Sequence, residues 1–241
     1  MKYIIEIVMK WLVTTKATSV SRKYVGRILV DYWQNKGITL TSLSSRSPEA
    51  FGLIRQVKEE TAMLITYLDA YQIYTAVKAT EKIKGEIAEV GVYRGGSARI
   101  IREVTKKPIH LFDTFEGLPG LSKHDNTEQF QKGEYAASLE SVKSYLKNYS
   151  NIYFYKGVFP SSSGPIKNKR FSFVNLDIDL YESTLNCLEF FYRRMSKMGV
   201  IIIHDYPASR GVKKAVDNFF GDKPGIIIDL SGTLQCLIIK E

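Results

Sequence analysis

The sequence predicts an α/β fold: a doubly wound, mainly parallel sheet of seven strands that ends in an antiparallel hairpin, preceded by an N-terminal helical extension. Three observations predict it. From residue 84 onward, short apolar runs alternate with longer amphipathic stretches, and strands apolar along their whole length belong to a parallel sheet covered on both faces. The last two apolar runs follow each other without a helix, joined by residues 230–233 with Ser231-Gly232, a hairpin signal. Residues 1–80 instead show helical periodicity and no strand-rich stretch. A chain of 241 residues holds one such domain with an extension, or at most two small domains. The expected limits are residues 1–80 for the helical extension or lid and 81–241 for the sheet domain.

In chain order, Ile5, Val8, Met9 and Leu12 recur at helical spacing near the N-terminus. Glu6 and Lys10 interrupt this stretch, which is too short to span a bilayer. No small-residue cleavage site follows it. It reads as an amphipathic helix that packs on the domain or on a partner subunit, with membrane-surface attachment as the alternative. Residues 20–35 and 53–79 are two further helices by apolar period, and the Ser/Thr-rich residues 37–48 between them have the character of a loop or lid. The first strand is expected over 87–90 and its helix over 97–104. The second strand follows at 109–112, a helix at 138–148, and the third strand at 152–155. The fourth strand covers 171–176 with a helix over 183–195. The fifth covers 200–204 with a helix over 212–220, and strands 226–229 and 234–239 close the chain.

Apolar residues make up 44% of the chain, enough for a packed core and too many for a disordered one. The formal net charge is +9, of which the first 60 residues hold +5. That balance suits a nucleic-acid or membrane-surface partner, or a solvated basic face. No five-residue basic run and no nucleic-acid motif appears, so nucleic acid is not the expected partner. Cys187 and Cys236 stand far apart in apolar contexts without metal-ligand spacing, and read as small buried hydrophobes. A reducing, cytoplasmic setting is the matching expectation.

In doubly wound sheets, ligands bind beyond the carboxyl ends of the strands. After the first strand comes Glu89-Val-Gly91-Val92-Tyr93-Arg94-Gly95-Gly96-Ser97. Its glycines permit a tight turn and close backbone approach, and the helix that follows presents N–H donors. The spacing departs from GxGxxG, and a structural strand–helix turn is the alternative. After the second strand comes Asp113, then Thr114. An acidic residue about 20 positions past a glycine loop can accept both ribose hydroxyls, which points to a nucleoside-bearing cofactor; a turn cap is the alternative. His110, inside the strand, reads as a hydrogen-bonded core histidine. After the third strand, Lys156-Gly157-Val158-Phe159-Pro160 can flank an adenine.

The fourth strand runs into Leu176-Asp177-Ile178-Asp179-Leu180-Tyr181-Glu182-Ser183-Thr184, the fifth into His204-Asp205-Tyr206. Asp177 and Asp205 on neighbouring strand tips repel unless something neutralises them, and a hard divalent cation does so. The alternative is a pair of helix N-caps, weakened because Ser183 already suits that role for the fourth-strand helix.

Taken in order, EVGVYRGGSA, LFDTFEGLP, KGVFP, LDIDLYEST and GVIIIHDY resemble the macrocin, mycinamicin and novobiocin sugar O-methyltransferases, the TylF-type family. The match covers about residues 85–220, with LDIDLYEST its most specific element. The resemblance implies a class I methyltransferase fold, S-adenosylmethionine, Mg²⁺, and a sugar hydroxyl on a natural product as acceptor. It implies metal ligation by Asp177 and Asp205, and Asp179 as candidate base. Cofactor contacts carry onto Glu89, Gly91, Ser97 and Asp113, with Val92, Tyr93, Thr114, Gly157 and Asp177 beside them. One departure stands out: the family usually has two acidic residues where this chain has His204-Asp205. A neutral imidazole can ligate a metal or act as a base, so His204 is both a metal and a catalytic candidate. Assembly into a dimer or larger oligomer through the N-terminal helices is expected, and no transmembrane segment. Two other readings stay open: a nicotinamide-dependent oxidoreductase, which shares the glycine loop and acidic residue, and a non-catalytic cofactor-binding scaffold of the same fold.

Overall fold

A computed structural model describes residues 43–223 and 225–241. The helices expected over residues 1–13 and 20–35, and the first half of the expected loop 37–48, lie outside the described residues. The chain divides into two compact units, Met1–Arg46 and Ser47–Glu241. Of the first, a helical turn at Leu43–Arg46 is described.

The second unit opens with α1 (Pro48–Glu60) and α2 (Tyr67–Ala79). Sequence periodicity predicts one helix over 53–79; the structure has two, separated by residues 61–66. The break has local causes. Lys58 Nζ donates to the carbonyls of Met63 and Ile65, at 3.0 and 2.6 Å, and ties the connection down. Thr66 then restarts the helix with a capping box, its hydroxyl accepting from the Asp69 N–H while the Asp69 carboxylate accepts from the Thr66 N–H. Pro48, expected in the loop, starts α1 instead, where its missing N–H costs nothing.

The remaining elements are β1 (Glu86–Val90), α3 (Gly96–Val104), β2 (Ile109–Asp113), α4 (Leu139–Tyr145), β3 (Ile152–Lys156), β4 (Phe171–Leu176), α5 (Tyr181–Phe191), β5 (Met195–His204), α6 (Arg210–Phe220), β6 (Ile226–Asp229) and β7 (Gln235–Ile239). They form one seven-stranded sheet in the order β3-β2-β1-β4-β5-β7-β6. The first five strands pair in parallel, and β7 lies antiparallel to both β5 and β6. The predicted class and closing hairpin are therefore the observed ones. One boundary needs correction: the helix expected over 183–195 ends at Phe191, and Met195 already belongs to β5. A short 3-10 turn, Tyr192–Arg194, makes the change of direction, which apolar periodicity does not register.

β4 is buried at every residue, as a central parallel strand must be. Phe112, Phe171 and Phe191 are fully buried between the sheet and α5, each contributing about 2–3 kcal/mol by burial. Cys187 and Cys236 are free and fully buried in this core. His110 is a core histidine hydrogen-bonded to Tyr155 and Glu86. Among the described residues no helix is long and apolar enough to cross a membrane. After β1 the chain turns to one side of the sheet, and β4 lies on the other. The crevice at this reversal is where doubly wound folds bind ligands.

Candidate active site

The cleft at that crevice is lined from the tips of β1, β2, β3, β4 and β5, from residues 62–65, and from the long connection after β2. Its volume is about 290 Å³, at the lower edge of small-molecule sites.

The β1 side is a backbone cradle. Gly91 sits at φ +87°, and a Cβ there would collide with the carbonyl of Asp177. No other residue lets β1 and β4 approach so closely at this point. Asp113, at the tip of β2, accepts hydrogen bonds from Val92 N–H (2.7 Å), Tyr93 N–H (3.0 Å) and Phe115 N–H (2.7 Å). Its carboxylate therefore braces the glycine loop, a role the sequence did not reveal, and still has lone pairs for a ligand. Val92, Tyr93, Ser97, Thr114 and Gly157 all line the cleft. Glu89 lies beneath it, fully buried, accepting from Asn175 Nδ2 at 2.9 Å. Burial pushes its pKa up to about 8, against the pull of Ser97 and Asn175.

The β4–β5 side is acidic. Leu176 and Ile203 are register partners, so the strand tips stand side by side and bring Asp177, His204 and Asp205 together. Asp179 and Asp205 adopt positive φ, 60° and 61°. Aspartate tolerates this region better than most residues, and such turns recur at functional sites. The helix-cap alternative fails for both carboxylates. Ser209 caps α6. At α5 the N-cap position is Leu180, not Ser183, and the free Tyr181 N–H is instead met by the distant Asp125 at 2.7 Å.

His204 stands between three carboxylates. Nδ1 lies 3.3 Å from Asp177 Oδ1 and 3.1 Å from Asp205 Oδ2, while Nε2 lies 3.7 Å from Asp69 Oδ2. Both ring nitrogens are buried, and neither meets hydrogen-bond geometry. Burial disfavours a charged ring, but Asp177, then Asp205 and Asp69, outweigh it and raise the imidazole pKa far above its usual value. Burial, then the charge of Asp177, pushes Asp179 up to about 9. Asp205 is held low despite burial, chiefly by His204.

Sequence reasoning missed two groups. Asp69, buried on α2, is reached only through the fold; its sequence signal is a carboxylate on the same face as Ala70, Ile73 and Val77. The connection after β2 supplies Gln129, Phe130, Glu134 and Tyr135 to the cleft. Leu118 and Phe130 anchor it against Leu180. The Tyr135 ring meets Tyr93 edge to face, with centroids 6.4 Å apart.

Comparison with known proteins bears on the family and the fold. The family model of the macrocin O-methyltransferases (TylF) matches residues 57–231. The chain is similar to the 8-demethyl-8-(2,3-dimethoxy-alpha-L-rhamnosyl)-tetracenomycin-C 4'-O-methyltransferase of Streptomyces olivaceus, 31% identical over 170 residues, covering 64% of this chain and 65% of that protein. It is also similar to the demethyldecarbamoylnovobiocin O-methyltransferase of Streptomyces niveus, 26% identical over 57% of this chain and 58% of that protein. The matches thus span less than two thirds of either relative's length. Among solved structures, the O-methyltransferase NovP shares the fold with a TM-score of 0.63 at 23% identity, covering 74% of this chain and 83% of that one.

Proposed function

The chain belongs to the macrocin O-methyltransferase (TylF) family, and on that premise we propose that it is an O-methyltransferase that uses S-adenosylmethionine to methylate a hydroxyl of a sugar or glycosylated metabolite. The observation that supports this most is the meeting in one cleft of a glycine-loop cradle and a carboxylate–imidazole cluster. A nicotinamide enzyme would use the first and has no need of the second.

The two sides of the cleft divide the work. Gly91, Val92, Tyr93, Ser97, Thr114 and Gly157 hold the donor by backbone and short side chains. Asp113 accepts from its ribose hydroxyls. Glu89 supports this floor from below. S-adenosylmethionine, when bound, supplies the transferable sulfonium methyl group. The acceptor hydroxyl sits against Asp177, Asp179, His204 and Asp205.

An alcohol is too weak an acid for a carboxylate to deprotonate unaided; the gap is about ten pKa units. The cluster fits a divalent cation. Two carboxylate oxygens and an imidazole nitrogen lie within 4.8 Å of one another, and Nδ1 is buried without a hydrogen bond. We read Asp177, His204 and Asp205 as its ligands, with Mg²⁺ suiting the oxygen donors. When bound, such a cation would lower the pKa of the acceptor hydroxyl and stabilise its developing alkoxide. Asp179 is the base in this reading. It holds a proton at neutral pH while burial and Asp177 act on it, and added positive charge at the cluster frees its carboxylate to accept one. His204 serves the cation in this reading, its Nδ1 facing Asp177 and Asp205. The remaining gain is proximity of acceptor and donor. Buried free cysteines suit a cytoplasmic setting.

The test is a radiolabelled methyl-transfer screen over sugar nucleotides, glycosylated metabolites and cell-surface glycans, with and without EDTA. Transfer that stops in EDTA and returns with Mg²⁺ is the expected result; full activity in chelator removes the cation from the reading. Thermal shift runs alongside. S-adenosylhomocysteine at 100 times its Kd stabilises by about 2.7 kcal/mol and NADH does not. The reverse response would replace this reading with the nicotinamide one.

A further inference from the structure

Asp69 has no place in the reaction as described, yet it is fully buried and faces the active histidine from behind. Burying a carboxylate is costly unless its oxygens are satisfied. Here they are. Oδ2 accepts from the Thr66 N–H (2.8 Å) and Thr66 hydroxyl (2.6 Å), and Oδ1 accepts from the Leu234 N–H at 3.1 Å. These bonds fix the carboxylate between α2 and the turn before β7. β7 pairs with β5 through Gln235 and His204, so the same clamp that holds Asp69 holds the strand carrying His204. Capping α2 alone requires neither this depth nor this neighbour. Asp69 Oδ2 stands 3.7 Å from Nε2, roughly 0.7 Å beyond a hydrogen bond. On the other side of the ring, Nδ1 faces Asp177 and Asp205.

We infer that Asp69 is a positioning residue for His204: its carboxylate, 3.7 Å from Nε2, attracts the ring proton to that nitrogen, sets the ring's orientation, and leaves Nδ1 as the bare nitrogen that a divalent cation would share with Asp177 and Asp205. This rests on the cation reading given above. The physical ground is general. A histidine that ligates a metal through one nitrogen usually donates the other N–H to a carboxylate, and losing that partner typically weakens metal binding about 10–100-fold. Histidine in place of an acidic ligand brings a requirement a carboxylate ligand lacks: its tautomer must be chosen. Asp69 is placed to choose it.

Two measurements test this on the full chain. The first needs no variant at these positions. The chain has three histidines, and in ¹⁵N-histidine-labelled protein saturated with Mg²⁺, His204 should appear as the neutral Nε2–H tautomer. A His204 protonated at Nδ1, or at both nitrogens, would overturn the inference. The second measures Mn²⁺ affinity by electron paramagnetic resonance in a double-mutant cycle. Asp69→Asn should weaken Mn²⁺ binding 10–100-fold in the parent chain. In a His204→Asp background, where no tautomer exists, the same change should cause no loss. Equal loss in both backgrounds would make Asp69 merely structural and end the inference. Wild-type protein that binds no Mn²⁺ would end the cation reading as well. Wild-type binding that Asp69→Asn leaves unchanged would end only the positioning role.

Discussion

Glu89→Gln should change the pH dependence of stability in a defined window. Glu89 is completely buried on β1. Its Oε1 accepts from Asn175, and its Oε2 has no hydrogen-bond partner. Burial, reinforced by the charges of Asp177 and Asp113, lifts its pKa from 4.5 to about 8. Below pH 4.5 the group is protonated in both folded and unfolded chains and costs nothing. Between 4.5 and 8 the unfolded chain loses the proton while the folded one keeps it. Stability therefore falls as pH rises, by about 1.4 kcal/mol per pH unit at most. At pH 7 the accumulated cost is on the order of 3 kcal/mol. Glutamine has no proton to lose, so the variant should gain on the wild type steadily through this window and hold its gain above pH 8. Urea unfolding of the ligand-free proteins at intervals from pH 5 to 9 measures the difference, and titrating groups that do not interact with Glu89 cancel in it. A variant-minus-wild-type difference that stays flat from pH 5 to 8 would refute the burial argument.

Three further outcomes follow from the cleft. Gly91→Ala forces a side chain onto a φ of +87° and against the Asp177 carbonyl; it should cost about 2–4 kcal/mol, and calorimetry showing an unchanged Tm would contradict the contact. Asp113→Ala removes the acceptor for three loop N–H groups; affinity for S-adenosylhomocysteine should fall at least tenfold, a loss of about 1.4 kcal/mol, and unaltered affinity by titration calorimetry would rule out its donor-side role. Asp177→Ala should abolish methyl transfer while holding donor affinity within about threefold, because its side chain serves the acceptor; parallel loss of both would place it on the donor side.

Much of this site was legible as strand tips. The apolar runs that became β1, β2, β4 and β5 located Gly91, Asp113, Asp177 and Asp205, because a parallel strand's end is a short-range feature. His110 and the two cysteines were also legible, since a polar or sulfur-bearing residue inside an apolar run has little choice but the core. The errors came where local periodicity continues through a change of structure. Residues 53–79 keep a helical apolar rhythm across the break at 61–66, and residues 192–195 keep one across the turn into β5. At 61–66 Lys58 donates to particular backbone carbonyls, and at 192–194 Arg194 donates to the carbonyls of Lys167 and Phe190; the apolar period encodes neither.

By itself the sequence determined the layered α/β class, the closing hairpin, and which residue types stand at which strand tip. These follow from the two periods of side-chain placement and from the turn residues between them. Tertiary structure alone decided what each of those residues faces. Asp113 turns back to brace the glycine loop, Asp125 reaches α5 from the connection after β2, and Asp69 arrives from α2 behind a histidine 135 positions later in the chain. Such pairings are set by packing in three dimensions, and separation along the chain carries no signal of them.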